Sequence, residues 1–417
     1  MDLHKKIVTV VGAARSGIAA ANLALASGAD VRITDARPLR ELEAALNGLT
    51  DRGRVQIESG GHTQAFIEAS DYVVASPGVW RDALALQWAR AQSIPVIGEI
   101  EFAWRFCRKP VVAVTGSNGK TTTVTLIARV LEAGGKKVCL CGNIGQPFSQ
   151  YVSADQFDVF VVEISSFQLE LTETFRPYVA LITNFSQNHL DRHPDMQDYF
   201  EAKKKIFRNQ ESSDYALINA QDEWSRGLPE GLKAGIRYFN APEEKGNPNQ
   251  TAAAAVGRIF GVNAEVSRGV FDSFAGVEHR LEKVRVLDGV EYINDSKSTT
   301  VESGRWALAN TPGPLVLICG GHDKGMDYRE LRELVRATVK VMIVLTREDV
   351  VRKTLREAFE GVVPLEEYTD MSAAVSAARR HATAGQTVLL SPMFASYDMF
   401  DNFEHRGQVF KDVVKSL

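Results

Sequence analysis

Short apolar, β-branched runs alternate along the chain with longer stretches of helical periodicity, the pattern of parallel strands covered on both faces by helices. Three series separate. The first opens with Ile7 to Val11 and continues through Val31 to Thr34 and Tyr72 to Ala75, ending near Pro95-Val96-Ile97. The second contains Val111 to Thr115, Val138 to Cys141, Val159 to Glu163, Val179 to Thr183 and Tyr215 to Ile218. The third runs from about Val277, with strands at Tyr292-Ile293, Leu315 to Cys319, Val341 to Leu345 and Val388 to Leu390. This rhythm predicts an α/β protein divided at residues 1–97, 98–276 and 277–417.

A length of 417 residues supports more than one domain, since single cores stop growing well below that size. Hydrophobic residues at 45%, charged residues at 24% and a net charge of −4 leave no electrostatic footprint for nucleic acid or an anionic membrane. Cys107, Cys139, Cys141 and Cys319 match no zinc or disulfide spacing and read as small core residues. Met1 to Lys6 leads straight into a strand without a signal-peptide core, and no run reaches the roughly 18 apolar residues of a membrane span. The chain is therefore expected to stay in the cytosol.

Chemistry concentrates where strands end. Gly116-Ser117-Asn118-Gly119-Lys120-Thr121-Thr122 follows an apolar strand and opens a helix, the context of a phosphate-binding loop. Glycines let backbone N–H groups converge on phosphate oxygens, Lys120 reaches the outer phosphates and Thr121 can ligate magnesium. The first glycine of the general pattern is replaced by Val114, with Gly116 supplying a closer one. Gly12-Ala13-Ala14-Arg15-Ser16-Gly17, followed by a helix, a strand and Asp35, reads equally as a NAD site, another nucleotide site or an unoccupied turn of dinucleotide-fold type. Glu163 ends a strand where a carboxylate can face the metal of the phosphate loop, and His189 lies in a loop on the same sheet's carboxyl edge. Of Lys203-Lys204-Lys205, at most one or two can reach one site. In the third series, Asn294 to Thr299, Gly320 to Lys324 and Ser391 to Ser396 each follow a strand, so their polar groups gather on one sheet edge as a binding site.

Taken in order, these segments resemble the Mur ligases of peptidoglycan synthesis over the whole chain. Glu163-Ile164-Ser165-Ser166-Phe167-Gln168-Leu169, Gly276 to Arg280, Asn294 to Thr299, and Ser391 to Asp398 with Asn402-Phe403-Glu404 point to the branch that adds D-glutamate. The resemblance implies a Rossmann-like N-terminal domain, a central P-loop ATPase-like domain and a C-terminal Rossmann-like α/β domain. It implies ATP-dependent amide ligation of D-glutamate to UDP-N-acetylmuramoyl-L-alanine, by a monomer that neither binds nucleic acid nor inserts into membranes. Arg15, Ser16, Asp35, Arg37, Ser76, Pro77, Gly78 and Asn143 would hold the UDP-sugar, and Arg280, Asn294 and Asp295 would contact ATP. Thr121 and Glu163 would hold one Mg2+, His189 and a carbamate on Lys203 a second, and Lys204 and Lys205 would favour the neutral amine that carbamate formation needs. Lys297, Thr299, Lys324, Ser396 and Phe403 would seat D-glutamate. Three departures stand out: Asn188 where the family often has Asp, Ala252 where it has a second asparagine after Asn249, and a shortened stretch from Tyr238 to Asn249. Other readings are a folylpolyglutamate synthase-like amide ligase and a nucleotide-sensing module without amide chemistry.

Overall fold

The computed structural model describes residues 1–187, 192–323 and 325–417. They form two compact units, Met1–Phe274 and Ala275–Leu417. His189, Asn188 and Lys324, singled out above, lie outside the described residues.

The first unit contains two parallel sheets. One comprises β1 (Ile7–Val11), β2 (Asp30–Asp35), β3 (Val55–Ser59), β4 (Tyr72–Ala75) and β5 (Val96–Gly98), in the order β3-β2-β1-β4-β5. The other comprises β6 (Val111–Thr115), β7 (Val138–Gly142), β8 (Val159–Glu163), β9 (Val179–Ile182), β10 (Tyr215–Asn219) and β11 (Gly235–Phe239), in the order β11-β10-β9-β6-β8-β7. Central strands β6 and β8 are buried at every position, which explains their unbroken apolar runs. One apolar cluster reaches from Val8 and Ile33 through Ile100 and Phe102 to Phe148, Phe160 and Phe185. Helix Glu99–Trp104 thus joins the two sheets into a single core, and each fully buried phenylalanine adds about 2–3 kcal/mol.

The second unit holds β12 (Glu282–Leu287), β13 (Val290–Asn294), β14 (Leu315–Cys319), β15 (Val339–Leu345), β16 (Leu365–Tyr368) and β17 (Thr387–Leu390). Their order is β12-β13-β17-β14-β15-β16, with only the β12/β13 hairpin antiparallel. The carboxyl ends of β13, β17 and β14 therefore lie side by side.

The sequence rhythm did not predict β3, β11, β12 and β16, and each is a sheet edge. The cysteines are free, with Cys139, Cys141 and Cys319 buried and Cys107 half-buried. No helix among the described residues is long and apolar enough to cross a membrane.

Candidate functional site

At the carboxyl end of β1 the chain turns through Gly12 at φ +94° into helix Arg15–Ala26. The turn is tight: a Cβ on Gly17 would sit 1.9 Å from Gly12 O, and Ser76 Oγ donates to Gly12 O at 2.6 Å. Asp35, at the end of β2, accepts from Ala13 N at 2.7 Å and from Arg37 Nε and Nη2 at 3.0 and 2.8 Å. Burial pushes its carboxyl up, but the bonds from Arg37 and Ala13 outweigh it and hold the group at about 2. Asp35 is thus spent on shaping the turn and fixing Arg37, whose half-exposed guanidinium faces outward.

These elements wall a cavity of about 520 Å3. Arg15, Ser16, Asp35, Arg37, Ser76, Pro77, Gly78 and Asn143 all line it. The Gly12 turn is thus one wall of a cavity whose other wall includes Gly142, Gly145 and Gln168, from strand β7, the loop after it and helix Ser166–Glu170. His62 and Gln168 also line it and were not anticipated. His62 Nδ1 meets Thr34 Oγ1 at 2.8 Å, a tertiary contact that no motif announces.

The phosphate loop connects β6 to helix Lys120–Ala133, with Gly116 at φ +145° and Gly119 at φ +76°. The segment after β9 braces it. Ser117 N donates to Asn184 O at 3.0 Å, Thr183 Oγ1 to Asn118 O at 2.6 Å, and Ser117 Oγ to Ser186 O at 2.9 Å. Asn249 reaches the same loop, accepting from Thr123 Oγ1 at 3.0 Å, whereas Ala252 is fully buried in the apolar cluster below.

Lys120 Nζ and Lys203 Nζ both donate to Gly116 O, at 2.7 and 2.9 Å. Lys203 is buried, and burial first and Lys120 second pull its amine well below the ordinary lysine value. This corrects the expected cause, since Lys204 is exposed beside Glu201 and Lys205 donates to Glu170 O. Glu163 is buried at the end of β8, with Oε1 accepting from Asn143 Nδ2 at 2.8 Å. Its Oε2 has no hydrogen-bond partner among the described residues. A buried carboxylate oxygen left unmatched beside a phosphate loop fits a hard divalent cation, with the buried Thr121 hydroxyl as a second oxygen donor.

In the second unit, Asn294 is fully buried, giving its amide to Glu282 Oε2 at 3.0 Å and accepting from Ser296 N at 3.1 Å. Asp295 accepts from Leu281 N and Ser391 Oγ at 3.2 and 3.1 Å, and burial pushes its carboxyl up to about 7. Lys297 Nζ lies 5.4 Å from the centre of the Phe403 ring, and Ser396 is buried nearby on the loop after β17. Strand order therefore gathers the segments after β13, β17 and β14 on one edge, as their positions suggested. The guanidinium of Arg406, which carried no motif, lies beneath them.

Family profiles cover these regions. The Mur ligase MurD-like N-terminal domain matches residues 6–98, the Mur ligase middle domain residues 114–265 and the Mur ligase glutamate ligase domain residues 279–394. A UDP-N-acetylmuramoylalanine--D-glutamate ligase of Pelotomaculum thermopropionicum is 38% identical over 453 residues, covering 100% of this chain and 99% of that one. The protein of the same name from Acidobacterium capsulatum is 38% identical over 451 residues, covering 99% and 97%. Among solved structures, the UDP-N-acetylmuramate-alanine ligase MurC of Thermotoga maritima matches with a TM-score of 0.59 at 16% identity, covering 99% of this chain and 100% of that one. A pseudomurein peptide ligase type C from Methanothermus fervidus gives 0.56 at 18%, with 99% and 100% covered. At such identities the structural likeness establishes the fold alone. On the sequence relationship, which runs at 38% identity over the full chain, the chain belongs to the Mur ligase family.

Proposed function

We propose that the chain joins D-glutamate to the alanyl carboxylate of UDP-N-acetylmuramoyl-L-alanine at the expense of ATP, as a cytoplasmic monomer in peptidoglycan precursor synthesis. The observation that carries this reading is the full-length identity to relatives named for that reaction. The cavity between the Gly12 turn and the Gly142–Pro147 loop supports it, with Arg15 and Arg37 supplying positive charge for a diphosphate.

The chemistry follows from what an amide requires. The substrate carboxylate attacks the γ-phosphorus of ATP, forming an acyl phosphate and releasing ADP. The amine of D-glutamate then adds to the acyl carbon, and the tetrahedral intermediate collapses with loss of phosphate and a proton. Loop amides from Gly116 to Thr122 hold the phosphates, and Lys120 swings from its loop carbonyls to the outer oxygens, neutralising charge in the transition state. Thr121 and Glu163 would hold one Mg2+, with His189 and a Lys203 carbamate for a second; bound there, the ions would supply Lewis-acid neutralisation of the phosphates. Burial and the neighbouring Lys120 shift the Lys203 amine toward the neutral form, which is the form that reacts with carbon dioxide. In the second unit Arg280, Asn294 and Asp295 serve the nucleotide, and Lys297, Thr299, Lys324, Ser396 and Phe403 the amino acid.

The test is phosphate release with ATP, Mg2+ and UDP-N-acetylmuramoyl-L-alanine, comparing D-glutamate with L-glutamate, lysine, diaminopimelate and no amino acid. Release with D-glutamate alone is the expected result. Release with another amino acid would overturn the amino-acid assignment, and none with any would leave a nucleotide-binding module.

A further inference from the structure

Arg406 is among the largest fully buried side chains of the described residues, 1% exposed in helix Phe403–Ser416. Its Nε donates to Ser296 Oγ at 3.0 Å and its Nη2 to Ser296 O at 2.8 Å. From Nη1 it donates to Phe394 O and Ala395 O at 3.1 and 3.2 Å. Every acceptor is a neutral oxygen, and no carboxylate among the described residues pairs with it. Burial pulls the guanidinium down to about 10, so it stays charged at neutral pH.

The Asp398 carboxylate acts on it only through space, with no hydrogen bond or ion pair between them; a buried cation so weakly compensated is expensive, and a methionine of similar volume would serve packing alone at lower cost. The position of the fork explains its retention. Ser296 precedes Lys297 and Ala395 precedes Ser396, while Ser296 Oγ, accepting from Arg406, donates onward to Phe403 O at 2.8 Å. One rigid group thus fixes the backbone beside each described residue assigned to the amino acid except Thr299. Gly321, at φ +145°, makes the approach possible, since a Cβ there would sit 2.0 Å from Ala395 O and 3.1 Å from Arg406 Nη1.

We infer that Arg406 is a positioning residue for the acidic amino-acid substrate, setting Lys297, Ser396 and Phe403 from below and placing a buried positive charge beneath a ligand with two carboxylates. The inference rests on the proposed D-glutamate ligase activity. Arg406→Lys keeps a charge but loses the planar fork that spans Ser296 and Ala395. Its expected effect is a rise of about tenfold or more in the KM for D-glutamate, with the KM values for ATP and the UDP-sugar within about twofold of wild type. Ser296→Ala, a milder change that serves if Arg406→Lys does not fold, is expected to raise the same KM about threefold or more. An unchanged D-glutamate KM in the folded variants, or an equal rise in all three KM values, would overturn the inference. Wild-type protein that releases no phosphate with D-glutamate would instead bring down the ligase reading itself.

Discussion

Replacing Gly116 by alanine asks whether the phosphate loop depends on a backbone that only glycine supplies. Gly116 and Gly135 both have positive φ, +145° and +83°, and a side chain in such a conformation costs about 1–2 kcal/mol. A methyl group on Gly135 meets nothing within 4 Å, whereas on Gly116 it would sit 1.9 Å from Thr183 Oγ1 and 3.0 Å from Thr183 N. The hydroxyl must then leave Asn118 O, and losing that half-buried bond from a buried threonine costs about 1–3 kcal/mol. Thr183 cannot simply retreat, because its own N–H is donated to Thr115 O at 2.9 Å; forcing the backbone adds about 1 kcal/mol or more. The two variants should therefore differ by about 2–4 kcal/mol, a gap of roughly 5–15 °C in melting midpoint for a domain of this size. Calorimetry of Gly116→Ala beside Gly135→Ala measures the gap. Turnover of Gly116→Ala should fall about a hundredfold because the loop amides are displaced. Equal midpoints together with equal turnover would refute the reasoning.

Asp295→Asn separates stability from function. The folded carboxyl at about 7 binds a proton that the unfolded chain has released above about 4, so wild-type stability falls as pH rises through that window. Urea denaturation should show the Ala275–Leu417 unit of the variant about 2–4 kcal/mol more stable at pH 8 and level with wild type near pH 4, while turnover drops; a gap independent of pH would contradict this. Lys203→Met should melt at or above wild type, since it removes a buried amine, yet lose about a hundredfold or more in turnover together with any 13C-bicarbonate-derived carbamate signal. A fully active Lys203→Met would remove the carbamate from the mechanism.

How far the fold was legible depended on burial. Strands covered on both faces, such as β6 and β8, write themselves as continuous apolar runs. The unpredicted β12, Glu-Lys-Val-Arg-Val-Leu, and β16, Leu-Glu-Glu-Tyr, have no fully buried position, because an edge strand needs charge and polarity on its open side. The phosphate loop was legible because its function is a backbone shape, and glycine spacing records backbone shape. Its brace from Thr183 to Ser186, the contact between His62 and Thr34, and the fork of Arg406 were not, since each exists only where distant segments meet. Lys203 was singled out, but the source of its perturbation was sought in its chain neighbours, whereas burial and Lys120 supply it.

Asn143 has one further consequence. It lines the cavity at the Gly12 turn and gives its amide to Glu163 beside the phosphate loop. A ligand in that cavity that moved Asn143 would move the Glu163 carboxylate with it, and thermodynamic reciprocity would then require the converse. A compound filling only the cavity at the Gly12 turn would then change the affinity of a ligand at the phosphate loop by the same factor by which that ligand changes its own, so inhibitors of the two places should be measured as pairs.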